Sequence, residues 1–102
     1  MYLVQILLPL YDNEGHPFPR AAFDEVSAEL TSAFGGLTAY TRSPAHGLWR
    51  ESDAETRHDD IVVYEVMTDR LDPAWWREYR GRLETRFAQD RIVVRAQDTQ
   101  LL

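Results

Sequence analysis

Three short apolar segments of the chain each carry one polar residue near their middle. The segments are residues 3–8, 61–67 and 92–96. Their polar residues are Gln5, Glu65 and Arg95. Short runs rich in β-branched residues predict buried strands. Because an amide, a carboxylate or a guanidinium buried without a partner costs several kcal/mol, we expect these three side chains to meet one another or a ligand.

Two helix patterns lie between the strand-like segments. In the first, Pro19 suits the first turn, and the Gly35-Gly36 pair ends the pattern. In the second, Asp72 is the predicted N-cap and Pro73 the first helical residue. Apolar residues recur at helical spacing in both, as Phe23, Val26, Leu30 and Phe34 and then as Trp76, Tyr79, Leu83 and Phe87. Each helix therefore has one face that predicts core packing.

The order of these patterns predicts an α+β protein with the arrangement βαββαβ. The predicted strands are residues 2–10, 37–42, 61–67 and 91–97, and a short piece at 48–51 continues or extends the second. This order is that of the ferredoxin-like fold, with an antiparallel four-stranded sheet in the order 4-1-3-2 and two helices on one face. A chain of 102 residues with 44% hydrophobic residues has the size of one domain, so we predict a single domain at 1–102.

Alternation along the strands divides the predicted sheet into two faces. One face is almost entirely apolar and should receive both helices. The other is mixed, and it carries Gln5, Glu65 and Arg95 on adjacent strands, with Tyr40 or Arg42 extending the row onto strand 2. It also exposes a set of large apolar residues, namely Leu3, Leu7, Val63, Met67 and Val93. Monomers usually avoid such a patch, so we predict that a second copy covers it across a two-fold axis.

This arrangement resembles the dimeric α+β barrel proteins, whose protomers are ferredoxin-like. The resemblance spans the whole chain in its element order. The group includes cofactor-independent monooxygenases, isomerases, heme-using enzymes and small bacterial proteins of unknown function. It implies a homodimer formed through the open sheet face, with a small-molecule site between the sheet and the loops.

The row of Gln5, Glu65 and Arg95 has two interpretations. In the structural one, Arg95 and Glu65 form an ion pair bridged by Gln5, which is buried under the dimer and sets its register. In the functional one, the row is a polar floor for a small anionic or carbonyl ligand. Arg95 would then orient the ligand through paired hydrogen bonds, and Glu65 would be the general base.

A second group of candidate residues lies between strands 2 and 3. His46 is a catalytic candidate there, while Trp49 and Arg50 suit ligand binding and Trp49 alternatively suits an anchor in a dimer seam. The histidines do not predict a metal site, because the topology places His16 at the opposite end of the sheet from His46 and His58.

The second helix carries further groups outside its apolar stripe. Trp75 precedes the stripe residue Trp76, so it is free to touch a loop, a partner or a ligand pocket. The helix also carries the charged residues Arg77, Glu78, Arg80, Arg82, Glu84 and Arg86. We interpret these as a solvated surface held by salt bridges.

Composition excludes several functions. The net charge of −6, with seventeen acids against eleven bases and no basic block, argues against nucleic-acid binding. All eleven bases are arginine, so a Schiff base to pyridoxal phosphate and a Walker-type phosphate loop are excluded. The chain has no cysteine and no glycine-rich dinucleotide motif. We therefore predict no cofactor.

Targeting signals are also missing from the sequence pattern. Residues 1–10 have no basic n-region or small-residue cleavage site, and no apolar run reaches the ~20 residues of a membrane span. We expect a cytoplasmic protein that does not bind membranes. The predicted function is a homodimer that binds a small molecule, and the alternative is a cofactor-independent enzyme of the monooxygenase or isomerase type.

Overall fold

The described residues, 1–42 and 60–102, form four strands and two helices in a computed structural model. The elements are β1 Tyr2–Pro9, α1 Arg20–Phe34, β2 Thr38–Arg42, β3 Ile61–Thr68, α2 Pro73–Arg86 and β4 Val93–Asp98. The order βαββαβ is confirmed, and each predicted strand and helix within these residues is present. The strand piece predicted at 48–51 lies outside the described residues. Neither of the two helices is long and apolar enough to cross a membrane.

The four strands form one antiparallel sheet in the order β2-β3-β1-β4. This is the predicted order 4-1-3-2 read from the opposite edge. The two central strands pair along their whole length, from Tyr2 opposite Thr68 to Pro9 opposite Ile61. The predicted fold class and strand order are therefore confirmed, and β2 and β4 are the edge strands among the described residues.

The core lies between one face of this sheet and the two helices. Val4, Ile6 and Leu8 alternate along β1 and are each at most 1% exposed. They pack in one cluster with apolar residues of both helices, including Val26 and Leu83. Full burial of a large aliphatic side chain contributes about 1.5–3 kcal/mol, so this alternation fixes which face of β1 turns inward. Both helices consequently cover the same face.

Helix α1 ends where the pattern predicts, but Pro19 precedes its first turn instead of belonging to it. Pro19 is the N-cap in an extended conformation, so Arg20 rather than Pro19 opens the helix. Gly35 has φ 86°, and its N–H donates to the carbonyl oxygen of Thr31 at 2.8 Å. Glycine adopts this left-handed conformation without the steric penalty of a Cβ atom, which is why the helix ends there.

Helix α2 begins as predicted and determines where β4 begins. The Asp72 carboxylate accepts a hydrogen bond from the backbone N–H of Trp75 at 3.3 Å, with Pro73 in the first turn. At the other end, Ile92 donates its backbone N–H to Oε2 of Glu84 at 3.0 Å. β4 therefore begins at Val93 and not at residue 91, because the N–H of Ile92 is bonded to a helix carboxylate instead of to β1.

The two helices are joined by a charged contact that the sequence pattern did not predict. The Arg86 guanidinium donates to both oxygens of Glu29 on α1, at 3.0 Å each. Tyr79 also donates its hydroxyl to Oε1 of Glu29, at 2.7 Å. These bonds, chiefly those from Arg86, lower the pKa of Glu29. Burial raises the pKa of Tyr79 above its ordinary range. Arg86 is thus a contact between helices and not part of a solvated surface.

Candidate functional site

The face of the sheet that the helices leave uncovered consists of rows of residues running across the strands. One row aligns Arg95, Gln5, Glu65 and Thr38 as Cα partners on β4, β1, β3 and β2. The adjacent row aligns Val93, Leu7, Val63 and Tyr40. The register therefore places a polar row directly beside an apolar one.

The polar side chains are joined in a continuous line, which we call the polar row: Arg95, Gln5, Glu65 and Tyr40. Arg95 donates from Nε to Oε1 of Gln5 at 2.8 Å. Gln5 donates from Nε2 to Oε2 of Glu65 at 2.7 Å. Tyr40 reaches diagonally from the adjacent row and donates its hydroxyl to the same Oε2 at 3.0 Å. The structure thus brings together four of the predicted site residues.

The chemistry of Gln5 explains why an amide stands between the two charges. A guanidinium only donates hydrogen bonds, and an ionised carboxylate only accepts them. A bridging group must therefore present an acceptor to Arg95 and a donor to Glu65, and the Gln5 amide does both. Within the described residues Arg95 and Glu65 make no direct ion pair, so the predicted pairing is realised through Gln5 alone.

Polar atoms of the row remain available for further bonds. No other described residue bonds to Nη1 or Nη2 of Arg95 or to Oε1 of Glu65. Arg95 is exposed, while Gln5 and Glu65 are half-buried. The described residues therefore do not seal the row, and among them both charged groups are accessible to a ligand or a second copy.

The surroundings of the row are apolar and partly exposed to solvent. Val93 is 44% exposed, Met67 39% and Tyr40 42%. The predicted exposure of Val63 on this face is wrong, because Val63 is only 1% exposed, in the row that aligns it with Leu7 and Tyr40. A charged row flanked by exposed apolar side chains is typical of a surface that binds a ligand or another protein chain.

A depression of about 300 Å³ borders the row at Glu65. It is lined by residues 34–38 and by Glu65, Val66 and Met67. It forms because β2 begins opposite Glu65, so that Met67 and Thr68 extend past the end of β2. The sequence pattern identified Gly35-Gly36 only as a helix stop, and its position beside Glu65 was missed.

The remaining predicted site residues are not assembled here. His46, Trp49 and Arg50 lie outside the described residues. Arg42 ends β2 opposite Ile61, and its side chain lies outside the description. His16 is exposed, and its Nδ1 lies 3.7 Å from Oδ2 of Asp12. Within residues 1–42 and 60–102, no group of three or more histidines and carboxylates is placed to hold a metal ion.

Trp75 packs within its own protomer. Its ring stacks on Tyr79 with centroids 5.0 Å apart and meets Phe34 edge-on at 5.2 Å. Phe34 in turn stacks on Trp76 at 5.1 Å. Trp75 therefore belongs to the packing of α1 against α2, and it lines a depression of about 240 Å³ between these helices.

Comparisons of the chain with protein-family models, with curated protein sequences and with solved structures found no match. The resemblance to dimeric α+β barrel proteins consequently rests on element order and sheet topology. A fold hosts many functions, so the chemistry of the site has to indicate which one applies.

Proposed function

We propose that this chain forms a homodimer of the α+β barrel type that binds a small molecule against the polar row. The observation that carries the proposal is the row itself, a line of bonds from a guanidinium to a carboxylate across an otherwise apolar sheet face that neither helix covers. A row that served the fold alone would be expected to satisfy its charges within the protomer. Among residues 1–42 and 60–102, atoms of both charged groups are left without a bond.

The second copy is supported by what surrounds the row. Val93 and Met67 are exposed on the open face, and a two-fold axis would place the same apolar residues of a partner against them. Covering them would remove apolar surface from water and would close a space above the row. The charges would then act in a drier environment, where each hydrogen bond to a ligand is stronger.

The free atoms of the row define the ligand chemistry. Nη1 and Nη2 of Arg95 suit a carboxylate or carbonyl oxygen, because a planar guanidinium binds such groups through paired hydrogen bonds. Oε1 of Glu65 suits a hydroxyl or amine hydrogen. A small 2-hydroxy acid with an apolar substituent carries both groups and also suits the flanking apolar residues. The depression beside Glu65 provides volume of the order found in small-ligand sites.

An acid–base enzyme is the second candidate function. It is favoured by the orientation of Glu65, whose Oε2 accepts hydrogen bonds from Gln5 and Tyr40. These two bonds hold the carboxylate in one position, and among the described residues nothing donates to Oε1. Such a fixed carboxylate beside a guanidinium suits proton removal next to a carboxylate or carbonyl group.

Titration with mandelate, a 2-hydroxy acid with a phenyl group, tests the proposed site. We expect saturable shifts of the Gln5 side-chain amide resonance in NMR spectra of the wild-type protein. Arg95→Gln should weaken this binding about tenfold, because it removes a charge-assisted hydrogen bond. Arg91→Gln, which alters an exposed arginine outside the row, is the matched control and should bind as the wild type does.

Two outcomes separate the candidate functions. Exchange of the mandelate carbon-bound hydrogen with D2O that is lost in Glu65→Gln would support the enzyme, whereas binding without exchange would support the ligand-binding protein. Shifts at Gln5 that persist unchanged in Arg95→Gln, or no shifts at all, would contradict both.

A further inference from the structure

A groove lies between α2 and the edge strand β4, on the side of the sheet that the helices cover. Its volume is about 170 Å³. The floor is apolar and includes Trp76 of α2 together with Val94 and Ala96 of β4. β4 pairs only with β1, so within the described residues nothing flanks its outer edge and the groove is open along it.

The rim of this groove is cationic. It carries Arg77 and Arg80 from α2. Arg95 of β4 also borders the groove, but its guanidinium group is bonded to Gln5 on the opposite face of the sheet. Arg77 and Arg80 are on the same face of α2 because residues three apart are neighbours on a helix. Two arginines of α2 therefore lie beside one apolar groove that α2 forms with β4.

The positive charge of the rim is only weakly neutralised. No acidic residue of the described part of the chain lines the groove, although the whole sequence has a net charge of −6. Within the described residues Arg77 forms no ion pair. Arg80 lies 3.6 Å from Oε2 of Glu84, but that oxygen also accepts the hydrogen bond from the N–H of Ile92. Both guanidinium groups can therefore donate further hydrogen bonds.

We propose that this groove binds a small organic anion with an apolar body, a carboxylate or a phosphate monoester. The apolar part would lie on Trp76, Val94 and Ala96, and the anionic group would be held by Arg77 and Arg80. Guanidinium groups bind both kinds of anion through paired hydrogen bonds, and the apolar floor selects against inorganic ions. This site is separate from the polar row, which faces the opposite side of the sheet.

NMR titration with three phenyl compounds tests the proposal. The probes are benzoate, phenyl phosphate and the neutral control benzamide. We expect benzoate or phenyl phosphate to shift the methyl resonances of Val94 and Ala96 and the Trp76 indole N–H. Benzamide should cause at least tenfold weaker shifts, because it lacks the charge. The stronger of the two anions identifies the anionic group of the ligand.

Variants of the α2 arginines assign the charge recognition. Each of Arg77→Gln and Arg80→Gln should weaken anion binding about tenfold, and each is tested singly as well as in the double variant. Arg82→Gln is the matched control, since Arg82 lies on the same helix over the Tyr79 ring and does not line the groove. Circular dichroism and the melting temperature verify that each variant is folded.

The groove site would be refuted if benzamide bound as well as benzoate, or if neither anion shifted the groove resonances. Anion binding that is unchanged in both single variants would also refute it. Shifts confined to the Gln5 amide would place the anion at the polar row instead. Arg77 and Arg80 do not belong to the polar row. A negative result for the groove therefore does not contradict mandelate binding at the polar row, and a negative result with mandelate does not contradict anion binding in the groove.

Discussion

At the scale of single residues, Gln5 has the most restricted role. It accepts from Arg95 and donates to Glu65, and both bonds are shorter than 3 Å. Glutamate at this position would have no hydrogen to donate to Glu65, and leucine would leave both charges without their bridge. The position of Gln5 in an apolar strand is thus explained by its two neighbours in the sheet.

Gly81 offers a prediction at the residue scale. It lies within α2 and is exposed, and a Cβ atom placed there would meet nothing within 4 Å. Glycine in a helix interior is less favourable than alanine by about 0.5–1 kcal/mol. We expect Gly81→Ala to raise the free energy of unfolding by about that amount in urea denaturation.

Gly35→Ala is the informative comparison for that measurement. The same Cβ atom also meets nothing within 4 Å at Gly35, but there φ is +86° and alanine is strained. Gly35→Ala should therefore lower the free energy of unfolding. Equal changes at both positions would show that backbone conformation does not decide the effect.

At the scale of the elements, the contact of Glu29 with Arg86 and Tyr79 holds α1 and α2 together across the sheet. Glu29 is 31% exposed and Arg86 22%, so the contact is partly screened by water. We expect Glu29→Gln to lower the free energy of unfolding at pH 7 by about 1 kcal/mol. Glu78→Gln, which changes an exposed α2 residue without an ion pair among the described residues, is the matched control.

The pH dependence of this difference follows from the pKa of Glu29, which Arg86 and Tyr79 lower from the ordinary value of 4.5. A carboxyl group with a lowered pKa in the folded state stabilises the protein above its unfolded pKa, and that stability is lost as the pH falls through the folded pKa. The wild type should thus lose its advantage over Glu29→Gln below about pH 4.5. A difference that stays constant down to pH 2 would contradict this assignment.

At the scale of the whole molecule, the open sheet face predicts the assembly state. We expect sedimentation equilibrium of the wild type to give twice the chain mass of 11.9 kDa. Val93→Asp places a charge in the proposed interface and should shift the mass to that of one chain, with the core unaffected because Val93 lies outside it. The wild-type melting temperature should also rise with protein concentration.

Ala28→Asp is the control for Val93→Asp. It adds the same charge at an exposed position of α1, away from the open face, and should leave the dimer intact. A wild-type mass of one chain at all concentrations would refute the dimer, and so would a Val93→Asp protein that remains dimeric.

The order of the elements, the Asp72 and Gly35 caps and the two faces of the sheet could be predicted from the sequence. These features follow from short-range periodicity and local conformation, as with Asp72 before Pro73 or Gly35 after Phe34. The polar row could also be anticipated, because strand order makes Gln5, Glu65 and Arg95 neighbours once βαββαβ is recognised.

The atoms through which these residues meet became known from the three-dimensional structure. The choice between Tyr40 and Arg42 as the extension of the row depends on strand register, and the hydroxyl of Tyr40 reaches Glu65 on the diagonal. Glu29 and Arg86 are bonded although they are distant in the sequence. The groove likewise joins distant parts of the chain, because Arg77 and Arg80 of α2 lie beside β4. Local patterns contain no information on such contacts, since the packing of helices on the sheet sets them.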